Sequence, residues 1–438
     1  MNTVARQRGT ELRAGFAQAD ITPRGKCDLN GFAARIQPLL GVGRPVCARV
    51  LLLAHARRSV LVASCDLLGF TLADSRRIEM RMAAEAGIAA ESVFLACTHT
   101  HSGPMSMPLG RVGRFRRGYV DFVGQRLVAA TRAAMGNLAE VAAAVLGDQE
   151  VAQLGRFRCA RDEPGRDRWP GRITALRLDR VAAPPLTLVH LGVHPCVLGP
   201  KNRRLHPDYP GEVCDLLARA TRGHALFLPG CGADVEAVPA GGASFAQVRR
   251  YARQVVTAAL AALRTGAPIN LTPLGVGTVS PLVSFGYGLA QGREVAPLVR
   301  DAHEQVRDRL VRNWHEWRED VAQGRCPRRL NLRAHLLRLG DIMLIGLPAE
   351  VFHDTGADLT RALAGWRILT VSHTGGVAGY LPRSFAYRRR TYEAVSAHQW
   401  YRTAGAMLPG MEAYVRRRIV SVARRLLRDE RGTATVRA

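Results

Sequence analysis

The stretch Cys97-Thr98-His99-Thr100-His101-Ser102-Gly103-Pro104 follows an apolar run, residues 92–97, that predicts a buried strand. Alternate side chains of a strand point to the same side, so His99 and His101 are expected to face one cleft. Gly103-Pro104 then ends the strand and turns the chain. Two histidines at a strand end are a common beginning of a metal site. The alternative is a pair of solvated loop histidines.

The composition is that of a globular protein without export or membrane signals. The 438 residues are 47% hydrophobic, which suits one large α/β unit or two to three domains. No apolar run of signal-peptide length follows the first ten residues, and no later stretch reaches the roughly 20 apolar residues of a membrane span. We therefore expect a soluble, unexported, cytoplasmic protein.

The cysteines point away from a disulfide framework. There are nine of them, scattered along the chain and without any CxxC pair, which also argues against a cysteine zinc site. Cys97 and Cys196 flank candidate site residues but have no local base arrangement, so we expect them to be packed thiols.

The net charge of +26 is carried almost entirely by arginine, because Lys26 and Lys201 are the only lysines. The arginines are spread along the chain among alanines and glycines, as a GC-rich coding bias would produce. Runs such as Arg388-Arg389-Arg390 lack the interleaved aromatic residues of a nucleic-acid site. We expect no nucleic-acid partner, while attraction to an anionic substrate or peripheral contact with a membrane surface stays open.

Short apolar runs alternate with helical patterns in the first half of the chain, which predicts an α/β fold class. Strands are expected at 49–54, 60–65, 92–97, 173–178, 186–194 and 225–228, and helices at 75–86, 119–144, 244–264, 294–322 and 395–427. A hairpin is expected over 332–346, after which Glu350 opens a helix. No repeat or linker divides the chain, so residues 1–438 are expected to form a single domain with a basic helical tail from 401 to 438.

Two further residues are candidate metal ligands. His194 ends a predicted strand before Pro195, and Glu350 follows Leu347-Pro348-Ala349 at a predicted strand-to-helix junction. A catalytic zinc site needs three or four nitrogen or oxygen ligands and one position open for water. Taken alone, a strand-end histidine is usually structural, and a carboxylate in the first turn of a helix is favoured by the helix dipole.

Seven ordered motifs make the chain resemble the neutral/alkaline (non-lysosomal) ceramidase family over residues 14–400. They are Ala19-Asp20-Ile21-Thr22-Pro23, Ser64-Cys65-Asp66-Leu67-Leu68, Thr98 to Pro104, Val193-His194-Pro195, Leu347-Pro348-Ala349-Glu350, Gly379-Tyr380-Leu381-Pro382 and Tyr392-Glu393-Ala394. The resemblance implies a catalytic domain of mixed β-sheets packed with helices. It also implies one Zn²⁺ and cleavage of the amide bond of an N-acyl sphingoid lipid.

Position by position, the resemblance makes His99, His194, Glu350 and Tyr380 the zinc ligands. It places His101 and Tyr392 near the scissile carbonyl as catalytic groups, and it expects an arginine for which Arg156 or Arg158 is the candidate. His353 and His373 lie near the ligand segments without a matching family position.

Two departures bear on the substrate. In the family a glycine-rich loop carries an active-site serine, but the corresponding stretch here, Gly232 to Ala237, has Glu236 in its place. A carboxylate there would act as a general base or bind a cationic group, unless the loop is a degraded remnant. The resemblance also implies a second, C-terminal β-sandwich domain in ceramidases. In this sequence, helical patterns follow Tyr392 instead.

The sequence therefore predicts a zinc-dependent hydrolase that cleaves a C–N amide bond of a small-molecule or lipid N-acyl substrate. The alternatives are acyl transfer or lactone or ester hydrolysis in a biosynthetic pathway, and a binding protein with a decayed site.

Overall fold

The computed structural model describes residues 11–158, 164–166, 168–242, 244–288, 304–428 and 435–437. Its strands are β1 (Arg13–Asp20), β2 (Gly41–Val42), β3 (Cys47–His55), β4 (Arg58–Cys65), β5 (Val93–Cys97), β6 (Ala139–Glu150), β7 (Gly155–Phe157), β8 (Arg172–Arg180), β9 (Ala183–Leu191), β10 (Arg204–Leu205), β11 (His224–Pro229), β12 (Val235–Ala237), β13 (Ala267–Pro268), β14 (Leu274–Val279), β15 (Leu282–Tyr287), β16 (Arg329–Asn331), β17 (Ala334–Leu339), β18 (Ile342–Gly346), β19 (Glu350–Val351), β20 (Arg367–Val371), β21 (Tyr380–Leu381), β22 (Ala406–Met407) and β23 (Thr435–Arg437). Its α-helices are α1 (Leu72–Ala86), α2 (Arg117–Gly136), α3 (Asp208–Thr221), α4 (Phe245–Arg264), α5 (Glu304–Ala322), α6 (His353–Ala362), α7 (Ser384–Arg388), α8 (Tyr392–Val395), α9 (His398–Tyr401) and α10 (Met411–Arg428).

Two mixed sheets form the centre of the molecule. A nine-stranded sheet runs in the order β11-β9-β8-β6-β1-β3-β4-β5, with β13 also paired to β6, and a five-stranded sheet runs β20-β18-β17-β14-β23. One apolar core contains buried residues of both sheets, among them Phe16 and Leu53 from the first and Leu337 and Leu344 from the second. The two sheets therefore pack face to face, and each buries one surface against the other.

Helices cover the outer surfaces of these sheets. The helices α1 and α2 share a core with β3 and β4, α3 and α4 share one with β8 and β9, and α10 packs over the five-stranded sheet. The predicted α/β class with mixed sheets packed against helices is confirmed. None of the described helices is long and apolar enough to cross a membrane.

The strand and helix predictions mostly coincide with the elements, and the exceptions arise where the backbone pairs with distant strands. The helix predicted over 395–427 is interrupted by β22, which pairs with β15. Residues 119–144 divide into α2 and β6, because the alanine-rich second part pairs with β8 along its length; tertiary pairing overrides helix propensity here. Glu350 lies in β19 rather than opening a helix, since its backbone N–H donates to Gly379 O at 2.9 Å, and α6 begins at His353. Residues 294–303 of one predicted helix lie outside the described residues.

Several buried histidines away from the candidate site predict acid-sensitive stability. Burial lowers the pKa of His206 to about 3, of His335 to about 4 and of His398 to about 3, against about 6.5 in an unfolded chain. Between pH 6.5 and 4 these histidines are protonated in the unfolded state but stay neutral in the folded state. Each therefore contributes stability that is present above pH 6.5 and is lost by up to about 1.4 kcal/mol per pH unit on acidification.

The measurement is the free energy of unfolding in urea at pH 7, 6 and 5 for wild type and His335→Gln. We expect wild-type stability to fall with acidification and the variant to show a shallower slope, because one such imidazole is gone. Burial raises the pKa of Asp208 and Asp234 to about 6, which opposes the trend below pH 6. Those carboxyls are unchanged in the variant, so identical slopes for the two proteins would contradict the assignment.

Candidate metal centre

His99 is held by the turn that follows β5, not by a continued strand. The strand ends at Cys97, and His99 has a left-handed backbone with φ of +68°, a conformation that non-glycine residues adopt mainly at functional sites and turns. Its Nδ1 contacts Leu68 O at 2.7 Å and must donate there. The Nε2 lone pair is therefore the one offered to a ligand. Strand alternation was thus the wrong reason for placing His99 and His101 together.

His101 and His194 face each other. His194 follows β9 by three residues, and its backbone N–H donates to Val235 O at 2.9 Å. Its Nδ1 lies 3.3 Å from Gly232 O, which turns its Nε2 toward His101 Nε2 at 2.9 Å. Gly31, with φ of +99°, lets the backbone approach His101 closely: an added Cβ would lie 2.6 Å from the imidazole. Two ring nitrogens converge here from opposite segments.

Glu350 completes the cluster with a carboxylate oxygen that has no hydrogen-bond partner among the described residues. The Tyr401 hydroxyl donates to its Oε1, while its Oε2 is buried, unsatisfied and 3.5 Å from His99 Nε2. Burial acts to raise the pKa of Glu350, but the neighbouring His99 and Arg158 and the hydrogen bond from Tyr401 outweigh it, so the pKa lies below its usual value. The group is a carboxylate at neutral pH.

These donors meet the requirements of a divalent metal ion. The ligand atoms of His99, His101 and His194 lie within 4.8 Å of one another, and so do those of His99, Glu350 and His373. Ligands at about 2.0–2.2 Å from a zinc ion occupy such a span. Burial and neighbouring positive groups hold the pKa values of His101 and His194 well below 6.5, so both imidazoles are neutral and keep a lone pair. Nitrogen and carboxylate donors of this kind suit zinc.

The ring orientations separate His373 from the other histidines. The His99 ring meets those of His194 and His101 at interplanar angles of 87° and 72°, so their in-plane lone pairs can converge on one ion. His373 instead stacks on His99 at 5° with centroids 3.8 Å apart. Parallel planes do not intersect, so His373 as placed does not share an ion with His99. Its stacking holds the His99 ring in position.

The stacking role predicts different outcomes for His373→Phe and His373→Ala. Phenylalanine keeps a flat ring on His99, so zinc affinity should stay within about threefold of wild type, whereas alanine should cost about tenfold, as for groups that orient metal ligands. Both variants keep the left-handed backbone of this position, which makes them a matched pair. Competition with a zinc chelator measures the affinities. An equal, large loss in both would mean that His373 is itself a ligand.

Tyr380 lies beside Glu350 because β21 pairs in parallel with β19, with these two residues as direct partners. Its hydroxyl accepts a hydrogen bond from Arg158 Nη2 at 2.7 Å. Burial raises the pKa of Tyr380 well above its usual value although Arg158 acts to lower it. Arg158 also pairs with Glu393, its Nε lying 3.1 Å from Oε1. The predicted role of Tyr380 as a ligand stays a prediction.

Of the two candidate arginines, the structure brings Arg158 rather than Arg156 to the cluster. Arg156 is exposed and pairs with Glu236, its register partner across β7 and β12, with Nε 2.5 Å from Oε1. Glu236 is not among the residues that line the cavity beside the cluster. The loop that carries it still contributes to the cluster, because Gly232 O orients His194. A catalytic role of Arg156 or Glu236 stays a prediction.

A small cavity, here called the cluster cavity, opens on His99, His101 and Glu350. It has about 60 Å³ of space for solvent, enough for about two waters. Besides the donors its walls are mainly aromatic and apolar: they include Leu68, Leu109, Val112, Tyr380, Tyr392, Trp400 and Tyr401. Tyr392, predicted as catalytic, therefore faces the same space as His99, His101 and Glu350.

Sequence reasoning did not single out Tyr401 or the stacking of His373. Tyr401 sits in α9 without any motif around it, and its contact with Glu350 arises only from the packing of the C-terminal helices. His373 was visible as a histidine near the ligand segments. Its partner could not be inferred from spacing, since the two stacked rings are 274 residues apart.

No protein-family model and no curated protein matches the sequence. Among solved structures, neutral ceramidase from Pseudomonas aeruginosa matches with a TM-score of 0.74 at 18% identity, over 98% of this chain and 76% of that one. A ceramidase complexed with C2 matches with a TM-score of 0.76, also at 18% identity, over 95% of this chain and 76% of that one. The chain therefore has the neutral ceramidase fold.

Proposed function

We propose that this protein is a zinc-dependent hydrolase that cleaves the C–N amide bond of an N-acyl substrate with water. The observation that carries the proposal is that His99 belongs to two groups of possible metal donors, one with His101 and His194 and one that includes Glu350. His99, His101 and Glu350 also line one cavity. These donors occur in a fold that this chain shares with ceramidases. The ceramide-like or smaller N-acyl class of substrate follows from that likeness.

A bound zinc ion would lower the pKa of a coordinated water toward about 7 and polarise the acyl carbonyl. His99 and His194 would hold the ion through Nε2, each oriented by a backbone carbonyl at its Nδ1. Glu350 would contribute the free Oε2, while Tyr401 holds its Oε1. Tyr380 is the fourth ligand proposed from the resemblance.

His101 is the proton carrier in this proposal. Its imidazole is neutral and borders the cluster cavity, and its Nδ1 has no hydrogen-bond partner among the described residues. It can therefore accept a proton from the attacking water and return one to the leaving amine nitrogen. Removal of that proton by a positioned group contributes about 10²–10⁴-fold to a rate.

Tyr392 and Arg158 are proposed to stabilise the negative charge that develops on the carbonyl oxygen. Tyr392 faces the cluster cavity, and Arg158 reaches it through its hydrogen bond to the Tyr380 hydroxyl. Hydrogen-bond donors and cations held in a buried site stabilise such a charge more strongly than water does, because they need no reorganisation during the reaction.

The reaction is tested by incubating the zinc-loaded protein with N-acyl sphingoids and with small polar N-acyl compounds in ¹⁸O-labelled water. Hydrolysis puts one labelled oxygen into the released carboxylate and yields the free amine in equal amount. A parallel reaction with an added primary amine detects acyl transfer as a new amide. Formation of the new amide without labelled carboxylate would show that the protein is an acyltransferase and not a hydrolase. Turnover of esters or lactones alone would show that it does not cleave amides.

A further inference from the structure

A second cavity, here called the indole cavity, lies between the two central sheets and away from the proposed metal donors. Residues of β8 and β9 line one side of it, and residues of α6 and β20 line the other. Its volume is about 540 Å³, within the range of about 300–1,000 Å³ that small-molecule sites occupy. None of the donors of the metal centre is among its lining residues.

The walls of the indole cavity favour a flat apolar ligand. Trp169 is 3% exposed and lines the cavity together with the half-buried Trp366. The indole of Trp169 is fixed by the hydrogen bond that its Nε1 donates to His353 Nδ1 at 3.3 Å. Ile368 and Leu369 add aliphatic surface. Indole faces prefer offset or edge contacts with other aromatic rings, and such contacts add to the effect of area burial.

The rim of the cavity carries one more positive than negative charge. Arg172 and Arg367 both approach the same carboxylate: Arg367 Nη2 hydrogen-bonds to Asp148 Oδ2, and Arg172 Nη1 lies 3.9 Å from that oxygen. Thr174 donates to Asp148 Oδ1 at 2.6 Å, so this carboxylate is already satisfied. The Arg172 side chain is 61% exposed and is free to turn toward an anion at the rim, where a planar guanidinium matches a carboxylate in a bidentate pair.

We propose that the indole cavity binds a small aromatic carboxylate, with the ring against the two tryptophans and the carboxylate at Arg172. The site is separate from the proposed hydrolase centre, and its existence does not depend on that activity. The aromatic and aliphatic walls favour a flat hydrophobic ring, and the positive rim favours one negative charge on the same ligand.

Three chain segments connect the indole cavity to the metal centre. Gly192 lines the cavity two residues before His194, Cys231 lines it next to Gly232, whose carbonyl orients His194, and His353 lines it three residues after Glu350. The backbone of His353 is also tied to Asp234 Oδ1 by a hydrogen bond of 2.8 Å. A ligand that shifts these segments changes zinc affinity, and zinc must then change the affinity for that ligand by the same factor.

Calorimetric titration of the full-length, metal-free protein with 2-naphthoate tests the site. The neutral isostere 2-naphthamide removes the charge, and cyclohexanecarboxylate removes the aromatic ring. We expect saturable binding of 2-naphthoate and binding at least about fivefold weaker for each of the other two. The absence of saturable binding at millimolar naphthoate, or equal affinity for naphthoate and naphthamide, would overturn the proposal.

The variant that tests the rim is Arg172→Gln, with Arg329→Gln as its matched control because Arg329 is an exposed strand arginine outside the cavity. Arg172→Gln should weaken naphthoate about three- to fivefold and leave naphthamide unchanged. Trp366→Leu should weaken both ligands. If Trp366→Leu does not fold, the comparison of naphthoate affinity in Arg172→Gln and Arg329→Gln still tests the site, because both positions are exposed. Equal naphthoate affinity in Arg172→Gln and Arg329→Gln would count against the site.

The connection to the metal centre is measured by chelator competition for zinc with and without saturating 2-naphthoate. A change of at least about twofold in zinc affinity is expected in wild type. In Arg172→Gln the naphthoate concentration that produces half of this change should rise about three- to fivefold, whereas a change caused by direct binding of naphthoate to zinc would not depend on Arg172. If naphthoate leaves the zinc affinity unchanged, the indole cavity and the metal centre are not coupled. The existence of the naphthoate site is then decided by the calorimetric titration alone.

Discussion

Replacing His99 by alanine should reduce amide hydrolysis by more than about a thousandfold. Loss of this ligand removes zinc and with it both the activated water and the polarised carbonyl, which together exceed the effect of a single oxyanion donor. The structure makes His99 the shared member of the cluster, because it belongs to both groups of possible donors. Its Nδ1 is held by Leu68 O, which leaves Nε2 for a metal ion.

The matched control is His315→Ala, which removes an exposed histidine of α5. It should retain wild-type kcat/KM and zinc content. The His99 variant should remain folded, since zinc-independent packing surrounds it, and thermal unfolding followed by circular dichroism checks this. Substantial amide hydrolysis in a folded, zinc-free His99→Ala protein would refute the assignment of His99.

The variant Arg158→Gln should destabilise the fold by about 3 kcal/mol, because it leaves a buried carboxylate without its cation. The Glu393 side chain is 3% exposed and pairs with Arg158 Nε at 3.1 Å. The same change removes the hydrogen bond donated to the Tyr380 hydroxyl, so kcat should also fall by about 10²-fold or more. Urea unfolding and single-turnover kinetics measure the two effects.

Arg156→Gln is a matched control because Arg156 lies in β7, two residues before Arg158. Its side chain is 54% exposed and its partner Glu236 is 22% exposed, so its loss should cost less than about 1 kcal/mol. The double variant Arg158→Gln with Glu393→Gln should regain part of the lost stability, since no buried charge is then unpaired. Equal destabilisation by the two arginine substitutions would contradict the proposed position of Arg158.

Periodicity was sufficient for much of the fold. The runs that became β3, β4, β5 and β11 are short and bounded by turn residues, and the hairpin of β17 and β18 follows the expected pattern. Pattern reasoning failed at β6 and β19, where backbone pairing with distant strands decided the conformation. The face-to-face packing of two sheets is also a long-range property that no local pattern contains.

The candidate site was predictable where residues follow strand ends and unpredictable where packing brings helices onto them. His99, His101, His194 and Glu350 all lie just beyond or at a strand, where a sheet edge gathers side chains. Tyr401 comes from a helix near the C-terminal end of the chain and reaches Glu350 only through tertiary packing. The choice between Arg156 and Arg158 depended on where β7 ends, because Arg156 lies within the strand and pairs with Glu236, whereas Arg158 follows the strand and reaches Tyr380.

X-ray absorption spectroscopy of the zinc-loaded protein identifies the atoms that bind the metal ion. We expect about one zinc per chain, bound only by nitrogen and oxygen atoms at about 2.0–2.1 Å, with outer-shell scattering from at least two imidazoles. Both features should disappear in Glu350→Ala or weaken to adventitious binding. A first shell containing sulfur at about 2.3 Å, or no tightly bound zinc in the wild-type protein, would contradict a histidine and carboxylate metal centre.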